Sequence, residues 1–308
     1  MGILHNRWLH LVGIAGLGAG ILVGTEGLWQ ISVAEPDASV AQAPNLSQAE
    51  AALDRGLTLI QQGAVNEAIA AFREAIQIDP AMAAAHYNLG LALRQTGELQ
   101  EAATSFWEAL AADPQFAMAY SNLGAALWEG GNLEQATEYL ERAIELQPDL
   151  GNAYYNLGLV QIDNQEYDAA LVSLQKAAEF TPNAPEPSFH QGRIHLRRND
   201  YDAAISKFQA AISIFPQYVE AYYNLGVAQY GNGDYNAALD SFREATSLDP
   251  EYANAYYSAG LAFIRLEDYE EARGVLDYAK NLYITQNNPQ WASNTQFQID
   301  RVADLAGQ

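Results

Sequence analysis

The groups best placed to engage a ligand cluster at Phe189, His190, Arg193, His195, Arg197 and Arg198, the one dense basic island in a chain of formal charge −23. A guanidinium presents a planar fork of donors that a carboxylate accepts in bidentate fashion. His190, Arg193 and Arg197 fall on one helical stripe. The same cations can equally pair inside the chain with Glu186, Asp200 and Asp202, so both uses stay open. A second set recurs along the sequence: the rings of Tyr87, Tyr155, Phe189, Tyr223 and Tyr257, beside the amides of Asn88, Asn122, Asn156 and Asn224. An asparagine amide donates and accepts, which matches a peptide backbone. Tyrosine adds apolar contact area with little rotamer entropy. Both properties suit a groove that holds a protein segment.

Catalytic chemistry has no comparable support. The histidines are scattered as His5, His10, His86, His190 and His195, without a paired-His metal motif, a phosphate loop or a serine nucleophile elbow. Gly16-x-Gly18-x-Gly20 follows no strand and is no nucleotide fingerprint. With no cysteine, thiolate metal sites, thiol nucleophiles and disulfides are excluded. No enzyme activity, cofactor or metal is expected. Lysine occurs only at Lys176, Lys207 and Lys280, and a surface of this charge repels phosphate backbones, so nucleic acid is not an expected partner. The acid excess serves solubility of an exposed array or steers a basic partner.

The elements that position these residues repeat every 34 residues: Gly56, Gly90, Gly124, Gly158, Gly192, Gly226 and Gly260, with Pro80, Pro114, Pro148, Pro182, Pro216 and Pro250 in step. Such a period marks a solenoid, in which each unit packs on its neighbours and the stack exposes an extended surface. Aligned on proline, seven units run 49–82, 83–116, 117–150, 151–184, 185–218, 219–252 and 253–286. Each divides into helix A and helix B about a short polar turn. Helix A carries an apolar stripe at unit positions 4, 7, 8 and 11, for example Tyr120, Leu123, Gly124 and Leu127. Positions 2, 5, 6, 9 and 13 lie about 200° away and are expected to face outward as the groove, so that of Tyr154-Tyr155, Tyr222-Tyr223 and Tyr256-Tyr257 one ring enters the core and the other the groove.

Glycine inside a helix costs about 1 kcal/mol relative to alanine, so its recurrence at position 8 predicts close helix approach. The facing helix B is small as well, with alanine at positions 20 and 27, and Phe72, Phe106, Leu140, Leu174, Phe208, Phe242 and Leu276 fill the space between. Gly63, Gly97, Gly131, Gly233 and Asn199 supply positive φ in the turns, and Asn132, Asp200 and Asp234 stand near the next helix start. Proline ends each helix B except in unit seven, where Ile284 lets the helix run on towards Asn287-Asn288-Pro289. Trp291, Thr295, Ile299, Val302 and Ala306 then form one face of a C-terminal capping helix within 287–308.

With Tyr/His-x-x-Leu-Gly followed by Ala, Phe/Leu, Ala and Pro in phase over residues 49–286, the chain resembles the tetratricopeptide repeat family. Arg55, Gln191 and Ala259 depart at position 7, and Ser188 replaces an aromatic in unit five. The resemblance implies an all-α, right-handed α-solenoid of antiparallel helix pairs whose A helices line an inner groove that holds peptides or partner proteins. Some family members use position-6 asparagines on peptide backbone. The carboxylate clamp of others is not matched: Leu53 and Leu57 stand at its first two positions, and Met118 and Asn122 where its basic pair would be.

Residues 1–31 read as a signal peptide or N-terminal anchor. Arg7 precedes an apolar run from Trp8 to Val23, about 24 Å long as a helix and shorter than the roughly 30 Å hydrocarbon core. Ser32-Val33-Ala34 and Ser39-Val40-Ala41 offer cleavage sites; if uncleaved, residues 8–23 are a membrane tether, with Gly16, Gly20 and Gly24 on one face. Either way Arg7 inside and Glu26, Glu35 and Asp37 outside place the repeats on the extracytoplasmic side. Residues 32–48 read as a flexible linker. The expectation is a non-catalytic, exported adaptor, assembly factor or chaperone-like scaffold; the alternative is a self-associating or anchored solenoid with no peptide ligand.

Overall fold

The computed structural model describes residues 44–307, all helices and short turns with no strand among them. The proposed signal or anchor segment and most of the proposed linker lie outside the described residues. Helix α1 (Pro44–Gln61) starts within the stretch read as linker, and pairs with α2 (Val65–Ile78). Then follow α3 (Ala83–Thr96) and α4 (Leu99–Ala112), α5 (Ala117–Glu129) and α6 (Leu133–Leu146), α7 (Gly151–Asp163) and α8 (Tyr167–Phe180). The remaining repeats are α9 (Glu186–Arg197) with α10 (Tyr201–Ile214), α11 (Val219–Asn232) with α12 (Tyr235–Leu248), and α13 (Ala253–Arg265) with α14 (Tyr269–Thr285). Helix α15 (Pro289–Ala306) packs along α14.

Local chemistry explains the punctuation. Gly63, Gly97, Gly131 and Gly233 adopt φ of 76°, 84°, 84° and 90°, and Asn199 takes 57° in the equivalent turn. Gln165 and Glu267 hold the same conformation at 64° and 63° without that chemistry. Asn132, Asp200 and Asp268 accept from backbone N–H groups in the first turn of the helices they precede, whereas Asp234 makes no such bond. Each residue before a helix-ending proline is pushed out of the helical region, as at Asp79 (φ −130°, ψ 93°). Where Ile284 replaces that proline, α14 extends to 17 residues.

The core of each repeat is a glycine against a ring or leucine. A Cβ added to Gly226 would sit 2.5 Å from Phe242 Cε1, and one added to Gly124 would sit 2.6 Å from Leu140 Cγ. The helix B alanines at both recurring positions, from Ala68 and Ala75 to Ala272 and Ala279, are buried completely. Small residues thus let two backbones approach, and one large apolar side chain per repeat fills the gap, so each repeat excludes water only with its neighbours in place. The A helices of successive repeats also touch one another (α3 with α5, α5 with α7, α9 with α11, α11 with α13), which makes the A side the inner wall of the stack.

Two details differ from expectation. The buried face of α15 is Ala292, Thr295, Ile299 and Val302, while Trp291 leans from its exposed position onto Tyr257 and Tyr283, and Ala306 is exposed. In α9, Ser188 and Gln191 are buried where most other repeats carry aromatic or aliphatic side chains. Gln191 Nε2 makes only long bonds to the Leu171 carbonyl (3.4 Å) and Gln175 Oε1 (3.3 Å), and its Oε1 has no partner.

Candidate partner-binding wall

The rings at position 5 do not face outward as a set. Tyr87 is 5% exposed and packs on Phe106 and Phe116; Phe189 is 8% exposed and packs on Phe208 and Tyr218. Tyr223 lies against Phe242 and Tyr252, and Tyr257 against Trp291, each half-buried. The reason is geometric. A helix A has its own helix B, the preceding helix B and the next helix A as neighbours, so its buried arc is wider than a four-position stripe and captures position 5 as well. Tyr87, Asn88 and Phe189 are therefore stack residues, correcting their assignment to an open groove. Asn88 is 4% exposed and spends its Nδ2 on the Ala84 carbonyl at 2.8 Å.

Polar groups at the rims of these rings link successive repeats at a spacing of one unit plus one residue. Asn122 Nδ2 donates to Tyr87 Oη at 3.2 Å, Tyr155 Oη lies 3.3 Å from His190 Nε2, and Tyr223 hydrogen-bonds Ser258. A parallel ladder runs beside it. Arg94 grips both oxygens of Glu129, with Nη2 to Oε1 at 2.6 Å, and Trp128 Nε1 donates to Asp163 Oδ2 at 2.8 Å. Sequence reasoning missed this second ladder, although complementary polar residues 35 apart were its signal.

Burial sets the protonation of the wall. Desolvation pushes the Tyr87 hydroxyl up to about 12, against the opposing pull of the Arg94 charge and the Asn122 hydrogen bond. Tyr155 is raised chiefly by burial, then by Glu186, with Arg193 acting in the other direction. Tyr223 and Tyr257 are raised by burial too. At neutral pH these hydroxyls remain protonated donors, suited to recognition and unsuited to abstracting protons.

The remaining wall residues differ in what they leave free. Asn122 and Asn224 are half-buried and donate to the carbonyls four residues back, Met118 and Glu220, at 2.9 and 2.7 Å. Asn122 Oδ1 also accepts weakly from Arg94. Asn156, half-buried, makes no side-chain hydrogen bond within the described residues. Of the basic island, His195 pairs with Asp200 (3.0 Å) and Arg198 with Asp168 (2.8 Å). Arg193 and Arg197 are exposed and rest on the rings of Phe189 and Tyr167, with centroid distances of 5.9 and 5.3 Å. The wall thus offers, among the described residues, one amide without a side-chain hydrogen bond, half-buried tyrosine rings and two cations with no ion pair.

Family models for the TPR repeat match residues 56–97 and 192–233, and those for the tetratricopeptide repeat match 87–150, 121–185 and 223–289. No curated protein matches the sequence. Among solved structures, one described as pilF of Pseudomonas aeruginosa superposes with a TM-score of 0.61 at 22% identity, over 69% of this chain and 97% of that one. A tetratricopeptide repeat protein from Parabacteroides merdae gives 0.58 at 21% identity, over 81% of this chain and 99% of the other. The Cut9–Hcn1 tetramer of the APC/C gives 0.62 at 20% identity, over 80% of this chain and 48% of that chain. At these identities the likeness is one of fold. The matched repeats span most of the sequence, and the chain belongs to the tetratricopeptide repeat family, whose fold is that of a protein–protein interaction scaffold.

Proposed function

We propose that this protein is a non-catalytic adaptor that holds an extended segment of a partner protein along its inner wall, outside the cytoplasm. The observation that carries the reading is the wall's unspent recognition chemistry: among the described residues, Asn156 makes no side-chain hydrogen bond, and Arg193 and Arg197 form no ion pair. Buried amides are ordinarily satisfied. A half-buried one at a groove-facing position is poised to take a backbone N–H or C=O of a ligand. Tyr155, Tyr223, Asn224 and Tyr257 flank it up and down the stack with partly exposed rings and an amide oxygen. The extracytoplasmic placement rests on Arg7 and the apolar run Trp8–Val23, which suit a signal peptide or a tether through residues 8–23.

The test is a quantitative pull-down with the full chain as bait, compared with Asn156→Ala/Asn224→Ala and with Trp107→Ala on an outer helix. The wall variant should lose partners that the Trp107 variant keeps. Identical retention by all three refutes the groove reading, and light scattering that reports concentration-dependent self-association would favour the self-assembling alternative. Cell fractionation of the full chain against a chain lacking residues 1–43 checks the compartment: a full chain that stays with the cytoplasmic fraction refutes export.

A further inference from the structure

We infer that α9 receives a short acidic run of the partner, two carboxylates separated by one residue in an extended segment, on Arg193 and Arg197. The inference rests on the inner wall being the partner-binding surface and names what binds at one place on it. Two features distinguish these arginines from the rest of the island. First, His195 and Arg198 are neutralised by Asp200 and Asp168, while Arg193 and Arg197 have no ion pair among the described residues, including with Glu186 on the same helix. Second, the ladder that bonds the acids of the two preceding repeats stops here. Arg94 meets Glu129, and Trp128 meets Asp163, at a separation of 35 residues. The residue 35 before Arg197 is Ile162, which offers it nothing to bond. A cation therefore stands where the two preceding repeats carry acids.

The guanidinium groups are held without consuming their donors. The Arg193 and Arg197 Cζ atoms lie 5.9 and 5.3 Å from the Phe189 and Tyr167 ring centroids, cation–π contacts that consume no N–H donor, and no side-chain hydrogen bond among the described residues uses those donors. Four residues of helix separate them along the axis by about 6 Å. Alternate side chains of an extended segment lie on one side at about 6.6 Å. An acid-x-acid run laid along α9 therefore meets both forks, and its backbone is of the kind the free Asn156 amide can bond. The charge of −23 opposes any strongly acidic partner at long range, so the acidic run is short and the contact acts locally. At about 0.1 M salt the Debye length of about 10 Å screens the distant acids more than the contact pair.

Fluorescence anisotropy at that salt, with the full chain and a labelled twelve-residue peptide carrying a central Glu-Ser-Glu or Gln-Ser-Gln, tests the inference. The Glu peptide should bind about tenfold or more tightly than the Gln peptide, as charge-assisted bonds exceed neutral ones. Arg193→Gln/Arg197→Gln should erase that preference, and Arg198→Gln should keep it. Equal binding of the two peptides, no saturable binding of the Glu peptide, or a preference that survives Arg193→Gln/Arg197→Gln overturns the proposal. If it falls while Asn156→Ala/Asn224→Ala still loses partners in the pull-down, the groove reading stands without its acidic ligand; if that variant keeps them, the groove reading falls as well.

Discussion

Replacing glycine by alanine should change stability in opposite directions at Gly226 and Gly274, two glycines within helices of the same stack. Both gain about 1 kcal/mol of helix propensity. At Gly274 a Cβ would meet nothing within 4 Å, so Gly274→Ala should stabilise by about 0.5–1 kcal/mol. At Gly226 it would meet three carbons of the Phe242 ring at 2.5, 2.7 and 3.0 Å, and that ring is only 1% exposed. The ring cannot swing into solvent, so overpacking costs about 1–3 kcal/mol and the net effect is a loss of up to about 2 kcal/mol. Phe242→Ala alone should cost about 3–5 kcal/mol. In that background the obstruction is gone, and Gly226→Ala should become stabilising by up to about 1 kcal/mol. The pair therefore couples by about 2 kcal/mol in a double-mutant cycle. Urea unfolding followed by far-ultraviolet circular dichroism measures all four variants, with midpoint and slope compared because a repeat array need not unfold in one step. If Gly226→Ala stabilises as much as Gly274→Ala, or behaves alike with and without the Phe242 ring, the close-approach account of the recurring glycine is wrong.

Gln191→Leu should raise stability by about 1–2 kcal/mol in the same assay, because it removes a buried carbonyl oxygen with no partner at a cost of two long hydrogen bonds. Asn122→Ala, which strips a hydrogen bond from the buried Tyr87 hydroxyl and one from the Met118 carbonyl, should cost about 1–2 kcal/mol. Asn156→Ala should stay within about 0.5 kcal/mol of the parent, its effect confined to partner retention in the pull-down. Tyr87 keeps its proton in the folded chain up to about 12, while the unfolded chain loses it near the ordinary tyrosine value of 10.0. Its contribution is complete below about pH 10 and falls as pH rises towards 12, by about 1.4 kcal/mol per pH unit. Urea midpoints read across that window, with tyrosinate absorbance, check the sign; Tyr87→Phe should flatten part of the decline, and an unchanged slope would refute the assignment.

The repeat, the pairing of helices, the turn glycines and the run-on of α14 were all legible because each depends on a local rule. Proline excludes helical geometry from the residue before it, glycine tolerates positive φ, and apolar residues at a helical period mark a buried face. Periodicity multiplied those signals, since the same residue types at the same offset in successive units leave little room for another architecture. Even the departures at Ser188 and Gln191 could be read as weakened packing, and the orphaned Gln191 carbonyl oxygen is its physical form.

Which wall residues stay free was a different kind of question. Tyr87 and Phe189 share position 5 with Tyr223 and Tyr257, yet the first two are buried and the last two half-open, although Tyr252 packs on Tyr223 as Phe116 does on Tyr87 and Tyr218 on Phe189. Asn122, Asn156 and Asn224 share position 6, yet among the described residues Asn156 alone makes no side-chain hydrogen bond, while the other two donate to carbonyls four residues back and Asn122 also reaches Tyr87 of the preceding repeat. Likewise the island at 189–198 read as a ligand site or as internal pairing; the fold brought Asp168 to Arg198 and Asp200 to His195 and, among the described residues, brought no acid within ion-pair distance of Arg193 or Arg197. Architecture follows from short-range rules repeated along the chain, and was written in the residues. Availability follows from contacts between units one repeat apart, and exists only once the helices are stacked.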